Sequence, residues 1–190
     1  MEQFLDPIFI IKTLGILGVF AIIFAESGLF FGFFLPGDSL LFTAGFLASQ
    51  GYLNITFLVI GSALCAIIGD SVGYAFGKKV GPTIFYREDS KFFHKHHIEK
   101  AKKFYEKYGK KTIVLARFVP IVRTFAPIVA GVGEMKYKTF LSFNIIGGVL
   151  WTFLLSIFGY WLGNIIPNAD RYLLPIILVI IILSFIPIIA

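Results

Sequence analysis

The sequence predicts an all-α integral membrane protein, and three observations lead to that fold class. Of its 190 residues, 57% are hydrophobic and only 15% are charged, whereas soluble domains average roughly 45–50% and about 25%. The mean hydropathy is +0.86. The apolar residues form blocks as long as a membrane span, separated by breaks that contain Gly and Pro. A chain with so little polar surface cannot cover itself in water, which excludes a soluble domain and a disordered chain.

We expect two inverted re-entrant helical hairpins, three to four spanning helices and an amphipathic surface helix, all within a single membrane domain over residues 1–190. The first half, 8–77, would contain hairpin 1 and a spanning helix. A basic linker over 78–111 would separate it from the second half, 112–163, which would contain hairpin 2 and another spanning helix. A final spanning helix would occupy 173–190.

The first hairpin is predicted from an apolar block, 8–48, that is too long for one span of about 20 residues. The block contains Glu26 and Asp38, and a charged side chain at the centre of a membrane helix costs roughly 2.5–3.5 kcal/mol. Pro36-Gly37 is a strong helix breaker. The chain would therefore enter, turn at Pro36-Gly37 and leave on the same side, whereas 8–24 could cross the bilayer or lie along it.

A spanning helix is predicted over Ile55–Gly77. Glycines four residues apart make one of its faces smooth enough for close contact with a neighbouring helix. These glycines are Gly69, Gly73 and Gly77, and the side chains that flank them are Asp70 and Tyr74.

The positive charge is concentrated in the linker 78–111, which holds 11 of the 17 Lys and Arg residues but 4 of the 11 Asp and Glu residues. The positive-inside rule places this linker in the cytoplasm, where its partners would be anionic headgroups rather than nucleic acid. Helical spacing of its apolar residues predicts an amphipathic helix between a Ser90 cap and Gly109. All three histidines lie here, but their spacing is a weak metal pattern, so no metal is predicted. The lone Cys65 excludes an intramolecular disulfide and a Cys-based metal site.

The second hairpin is predicted over Thr112–Gly133, which is a poor plain span because it contains two arginines and two prolines. These residues are Arg117, Pro120, Arg123 and Pro127. Residues 140–162 would then span outward, with Gly159 and Gly163 as a small-residue pair. Two similar halves that open from opposite faces are typical of inverted-repeat transporters, whose binding site lies where the halves meet.

The charges inside the apolar hairpins are the candidate functional residues. Glu26 and Asp38 lie in the first hairpin, Arg117 and Arg123 lie in the second, and Asp70 lies in the helix between them. Such charges usually pair with each other and mark substrate or ion paths. Arginine offers a fork of donors that suits phosphate, and carboxylates in a dry site can take up protons. An alternative is that the charges only pin the two hairpins together, and a mixture of both roles is a third interpretation.

The motifs resemble those of the DedA family of bacterial membrane proteins, which share the VTT (SNARE-associated) domain with eukaryotic lipid scramblases. The similarity covers residues 15–165. Its motifs are Phe24-Ala25-Glu26-Ser27-Gly28, Leu35-Pro36-Gly37-Asp38-Ser39, Gly69-Asp70-Ser71-Val72-Gly73-Tyr74 and Ala116-Arg117-Phe118-Val119-Pro120-Ile121-Val122-Arg123, followed by Pro127, Asn144 and Trp151. The resemblance implies two facing re-entrant hairpins, lipid transport and a link to the proton motive force. It also implies that the four residues matching Glu26, Asp38, Arg117 and Arg123 are essential.

The sequence and the resemblance together suggest a lipid flippase that moves undecaprenyl phosphate, or a related anionic phospholipid, across the bacterial cytoplasmic membrane with coupling to protons. Arg117 and Arg123 would bind the phosphate, and Glu26 and Asp38 would exchange protons. Supporting roles are expected for Pro36, Gly37, Asp70, Gly73, Tyr74, Pro120, Pro127 and Asn144.

Two other functions stay open, a proton-coupled small-solute transporter and a non-transporting membrane scaffold. Hydrolase, nucleotide-binding and zinc-protease motifs are missing, so neither an enzyme nor a cofactor is predicted. The expected partners are membrane lipids and protons, and the chain could form a homo-oligomer.

Overall fold

The computed structural model describes residues 7–29, 35–85 and 111–165. Over these residues the protein contains six helices and no strand, which confirms the all-α fold class there. Residues 86–110 and 166–190 lie outside the described part. The predicted amphipathic helix in the linker and the predicted final span at 173–190 lie outside it as well.

The described helices follow the predicted blocks. Their bounds are α1 Pro7–Gly28, α2 Gly37–Ser49, α3 Ile55–Phe85, α4 Thr112–Ala116, α5 Pro120–Val132 and α6 Tyr137–Ile165. Two segments are long and apolar enough to cross a membrane, Ile55–Val80 in α3 and Tyr137–Ile165 in α6. They contain the spans predicted over 55–77 and 140–162, and α3 continues to Phe85, beyond the predicted start of the linker at residue 78.

Helices α2 and α5 are much shorter, with 13 residues each. At a rise of 1.5 Å per residue, each is about 20 Å long, which is less than the roughly 30 Å of a bilayer core. In α2 every residue from Ser39 to Ala48 is buried. Neither helix can cross a bilayer alone, and α2 is enclosed by protein on all sides.

Helix α1 contains a break that the sequence did not reveal. Gly15 has φ 61° and ψ −155°, a non-helical conformation inside an otherwise helical run. Only glycine adopts such angles without strain. A single glycine in a long apolar run carries no local signal of a kink, because a straight helix tolerates it as well.

The outer surfaces of α3 and α6 are apolar. Large hydrophobic side chains on α3 recur every three or four residues and are 43–58% exposed. They are Phe57, Ile60, Leu64, Ile68, Val72 and Phe76. Helix α6 carries a similar set, which includes Ile146, Phe153 and Trp161. A continuous apolar exterior around buried charges is the arrangement expected of a protein in lipid.

Close contacts between backbones hold the helices together. Helix α3 packs against α1, α5 and α6, and α2 packs against α6. A Cβ built at Gly77 of α3 would lie 2.1 Å from the Ile128 carbonyl oxygen of α5, and one at Gly159 of α6 would lie 2.1 Å from that of Phe42 in α2. The prediction that glycines of α3 and of α6 allow close contact with neighbouring helices is therefore confirmed.

Candidate functional site

Five charged side chains lie inside the helical body. Glu26 is 0% exposed, Asp70 4%, Arg117 3% and Arg123 7%, and the Asp38 side chain is 19% exposed. Charges at this depth are retained only when they are paired and hydrogen-bonded. In the structure they form two groups, one around each arginine.

Arg123 joins the second half of the chain to the first. Its Nη1 donates to Asp38 Oδ1 at 2.6 Å, and its Nη2 forms an ion pair with Glu26 Oε1. The two carboxylates come from α1 and α2, whereas Arg123 lies in the first turn of α5. The Arg123 group thus brings together three of the four charges predicted for the site.

The start of α2 places Asp38. Pro36 precedes the helix, and its carbonyl oxygen accepts hydrogen bonds from Leu40 N at 2.8 Å and Ser39 Oγ at 3.0 Å. Asp38 lies in the first turn, where the helix dipole favours negative charge. The predicted helix break at Pro36-Gly37 therefore agrees with the point where α2 begins.

Gly37 has a second role that the sequence did not reveal. The carboxylate of Glu26 lies directly against its backbone, and a Cβ built at position 37 would lie 1.4 Å from Glu26 Oε2. Any side chain at this position would occupy the space that the carboxylate needs. Gly37 thus provides the space for Glu26 as well as the helix start.

Two prolines shape α5 around Arg123. Pro120 occupies the start of the helix, and the preceding Val119 is extended at φ −119° and ψ 107°, as a residue before proline prefers to be. Pro127 lies inside α5 and has no N–H, so it removes the hydrogen bond that the Arg123 carbonyl would accept from it. The break between α4 and α5 therefore places Arg117 in a turn and Arg123 one turn into α5.

Arg117 belongs to a separate group and does not contact the carboxylates of the first hairpin. Its Nη2 forms an ion pair with Asp70 and also donates to Asn144 Oδ1, while the Ala66 carbonyl oxygen lies 3.5 Å away. Asn144 in turn donates from Nδ2 to the Ile67 carbonyl oxygen at 3.0 Å. This group links α3, α6 and the α4–α5 turn.

Gly147 of α6 makes room for the Arg117 side chain, because a Cβ there would lie 3.0 Å from Arg117 Cδ. A Cβ at Gly148 would lie 2.9 Å from Ile67 Cγ1 and at an ordinary contact distance of 3.5 Å from Arg117 Cζ. Neither glycine was given a role from the sequence. A signal was present, because Asn144, Gly147, Gly148 and Trp151 recur at intervals that place them on one helix face.

Trp151 was noted from the sequence only among the family motifs and without a role, yet it touches the charged groups. Its indole N–H donates to Asp38 Oδ1 at 2.8 Å. The Arg123 guanidinium carbon lies 4.7 Å from the ring centroid, within the range of a cation–π interaction. Trp151 is the functional candidate that the residue pattern missed.

Gly73, Tyr74 and Pro127 lie at packing contacts. The Tyr74 hydroxyl donates to the Met135 carbonyl oxygen, and its ring stacks on Phe140 with centroids 4.7 Å apart. A Cβ at Gly73 would lie 3.5 Å from Pro127 Cβ, an ordinary contact. These three predicted supporting residues therefore join helices and do not contact the charges.

The electrostatics of the two groups differ from those of a simple ion pair. Three carboxylates face two guanidiniums, so their formal sum is −1 when all are ionised. Among the described residues, the Nε atoms of Arg117 and Arg123 are buried without a hydrogen-bond partner. In this part of the chain no cluster of three or more His, Cys, Asp or Glu residues is placed to hold a metal ion. Guanidiniums can bind anions and carboxylates can exchange protons, so the charged groups present have the chemistry for both.

The chain is similar in sequence to one protein family and to several membrane proteins. The sequence model of the VTT domain matches residues 35–161. The chain is 47% identical to "Protein DedA" of Escherichia coli K12, over 89% of this chain and 78% of that protein. It is 43% identical to "Uncharacterized membrane protein Rv0364" of Mycobacterium tuberculosis, over 98% and 85%. It is 32% identical to "Inner membrane protein YqjA" of Escherichia coli K12, over 77% and 66%. No solved structure matches the chain significantly.

Proposed function

The chain belongs to the DedA family of VTT-domain membrane proteins, and we propose that it transports an anionic lipid across the bacterial cytoplasmic membrane. The proposed cargo is undecaprenyl phosphate or a related phospholipid. One observation carries the proposal. A buried guanidinium, Arg123, is held by two carboxylates from the other half of the chain inside a body whose exterior is apolar.

The carboxylates on Arg123 occupy positions that phosphate oxygens would take. A guanidinium binds carboxylate and phosphate through the same fork of N–H donors. Asp38 is the more exposed of the two carboxylates, at 19% against 1% for the Glu26 side chain. In the proposed cycle a lipid phosphate displaces Asp38 from Arg123, and Arg117 adds positive charge nearby.

The charge of the site links the lipid to protons. Three carboxylates and two guanidiniums already sum to −1, so an entering phosphate would add negative charge among buried side chains, where charges are weakly screened. Proton uptake by Glu26 or Asp38 removes that repulsion and releases Arg123 for the phosphate. Lipid binding should therefore strengthen as the pH falls.

The helix lengths support re-entrant hairpins within this proposal. Helices α2 and α5 are each about 20 Å long. Each begins at a helix break, and a site residue follows within one turn: Asp38 in α2 and Arg123 in α5. Two hairpins entering from opposite leaflets would place Asp38 and Arg123 together near the bilayer midplane. With 78–111 in the cytoplasm, the inner-leaflet side is the side of the linker.

The direct test measures movement of a fluorescent polyprenyl phosphate in proteoliposomes. Arg123→Ala should abolish transport, whereas Lys138→Ala, which removes an exposed cation at the start of α6, should retain it. Equal rates for Arg123→Ala and the parent would contradict the headgroup role. Folding is checked for each variant by its elution as a single species in detergent.

Neutral isosteres separate transport from scaffolding. Glu26→Gln and Asp38→Asn keep shape but cannot exchange protons, so they should remove the pH dependence of transport. A scaffold would tolerate both changes. Inhibition by free inorganic phosphate as strong as that by lipid phosphate would favour the small-solute alternative, and release of inorganic phosphate from the lipid would reveal an enzyme.

A further inference from the structure

Trp151 is a buried aromatic side chain between the two partners of an ion pair. It is 2% exposed, and its indole N–H donates to Asp38 Oδ1 at 2.8 Å. The centroid of its ring lies 4.7 Å from the Arg123 guanidinium carbon. One neutral side chain therefore contacts both groups of the Asp38–Arg123 pair, each through a different part of the ring.

The indole holds Asp38 through a bond that does not depend on the arginine. Asp38 Oδ1 accepts hydrogen bonds from Arg123 Nη1 at 2.6 Å and from Trp151 Nε1 at 2.8 Å. An indole N–H acts only as a donor and carries no charge. When Arg123 leaves Asp38 for a phosphate, the indole N–H still binds Asp38, and the ring face still attracts the guanidinium.

Backbone contacts fix the position of Trp151 relative to Asp38. Helices α6 and α2 approach so closely that a Cβ built at Gly159 would lie 2.1 Å from the Phe42 carbonyl oxygen. A contact between two backbones cannot shift unless the helices separate. The backbones of α6 and α2, which carry Trp151 and Asp38, are therefore held close together on this side of the site.

We propose that Trp151 is a positioning residue of the transport site, which keeps Asp38 within reach of Arg123 while Arg123 exchanges between this carboxylate and the lipid phosphate. The inference rests on the proposed function, because it requires a phosphate that competes with Asp38. Trp151 acts through Asp38 and Arg123. Its loss should slow the exchange of Arg123 between Asp38 and the phosphate, and should change the pH dependence of that exchange.

The pH dependence of transport is expected to depend on all the ionisable groups around the Asp38–Arg123 pair. Among the described residues, the ionisable groups are Glu26 from α1, Asp38 from α2, Asp70 from α3, Arg117 from the α4–α5 turn and Arg123 from α5. Helix α6 contributes the neutral side chains of Trp151 and Asn144. Trp151→Phe removes one donor from the ionised form of Asp38, places a smaller aromatic ring beside Arg123 and leaves every ionisable residue in place.

Intrinsic fluorescence offers the first test, because the chain has two tryptophans. The other, Trp161, is 54% exposed and stacks on Phe158, so Trp161→Phe leaves Trp151 as the single reporter. Farnesyl phosphate added to this variant in detergent should change the emission saturably, with the same midpoint as binding measured by equilibrium dialysis. Binding by dialysis without any change in emission would overturn the inference.

Transport offers the second test. Trp151→Phe keeps the ring face but loses the N–H, and it should lower the transport rate about tenfold and move the pH profile towards higher pH. Trp161→Phe, the matched control, should retain the parent rate and profile. A Trp151→Phe variant with the control's rate and profile, or with a lower rate at every pH and no shift, would refute the positioning role.

The two proposals fail in different ways. If the parent protein binds no farnesyl phosphate, the proposed function is wrong and the inference falls with it. If the parent binds farnesyl phosphate and Arg123→Ala does not, but Trp151 neither reports the binding nor alters the pH profile, only the inference is wrong.

Discussion

Replacement of Gly37 by alanine tests whether the Glu26 carboxylate depends on the space above this glycine. The added Cβ would lie 1.4 Å from Glu26 Oε2 and 2.5 Å from Cδ, whereas non-bonded atoms prefer separations of about 3.5–4 Å. The carboxylate must therefore withdraw by about 2 Å. Such a movement breaks its ion pair with Arg123, because a hydrogen bond does not survive that change in length.

Two opposing contributions determine how much Gly37→Ala changes the free energy of unfolding. Breaking a buried ion pair costs about 3–5 kcal/mol. Alanine stabilises a helix by up to about 1 kcal/mol relative to glycine, and less in the first turn. The loss dominates, so we expect the free energy of unfolding to fall by about 2–4 kcal/mol and lipid transport to be lost.

The assay is SDS titration of the purified variant in mixed micelles, with the transport rate measured in proteoliposomes. Gly73→Ala is the matched control, since it also adds a Cβ inside a helix but meets its nearest neighbour at 3.5 Å. Gly73→Ala should leave the free energy of unfolding unchanged or raise it by up to about 1 kcal/mol.

A double-mutant cycle with Glu26→Ala isolates the steric cause. With the carboxylate gone, Gly37→Ala should cost nothing further, so the coupling energy should be about 2–4 kcal/mol. The reasoning is refuted if Gly37→Ala costs as much with Glu26→Ala as alone, or if Gly37→Ala is as stable as the Gly73→Ala control.

Four further variants test the packing around the site by the free energy of unfolding in mixed micelles. Asp70→Ala should lower the free energy of unfolding by about 3–5 kcal/mol, because the buried Arg117 charge would lose its partner. The double variant Asp70→Leu with Arg117→Met should recover most of that loss. An equally unstable double variant would contradict this account. Gly77→Ala places a Cβ 2.1 Å from the Ile128 carbonyl oxygen, so it should separate α3 from α5 and destabilise the protein, and parent-like stability would show that this contact is looser. Tyr74→Phe loses one hydrogen bond, worth about 0.5–1.5 kcal/mol, and should keep the parent transport rate, whereas a loss of transport would place Tyr74 in the site.

Much of the fold could be predicted from composition and spacing. The excess of apolar residues, the spans in α3 and α6, the break at Pro36-Gly37 and the Pro120 break are all local properties of the chain. Hydrophobic burial is additive along the sequence, and proline acts on its own neighbours. The kink at Gly15 escaped prediction because glycine permits such angles without requiring them.

The charged residues could be identified from the sequence, but their partners could not. Glu26, Asp38, Asp70, Arg117 and Arg123 stand out because charge is costly in an apolar block. Which carboxylate faces which arginine was not predictable, since Arg123 is 85 positions from Asp38 and Arg117 is 47 from Asp70.

By itself, the sequence determined that this protein is a helical membrane protein with a few charges that cannot face lipid. Only the tertiary structure decided that these charges divide between two arginines, that Gly37 provides the space for Glu26, and that Trp151 joins Asp38 to Arg123 across 113 positions. The physical reason is that burial depends on each residue's own affinity for water. Pairing depends on contacts between helices whose residues are far apart in the sequence.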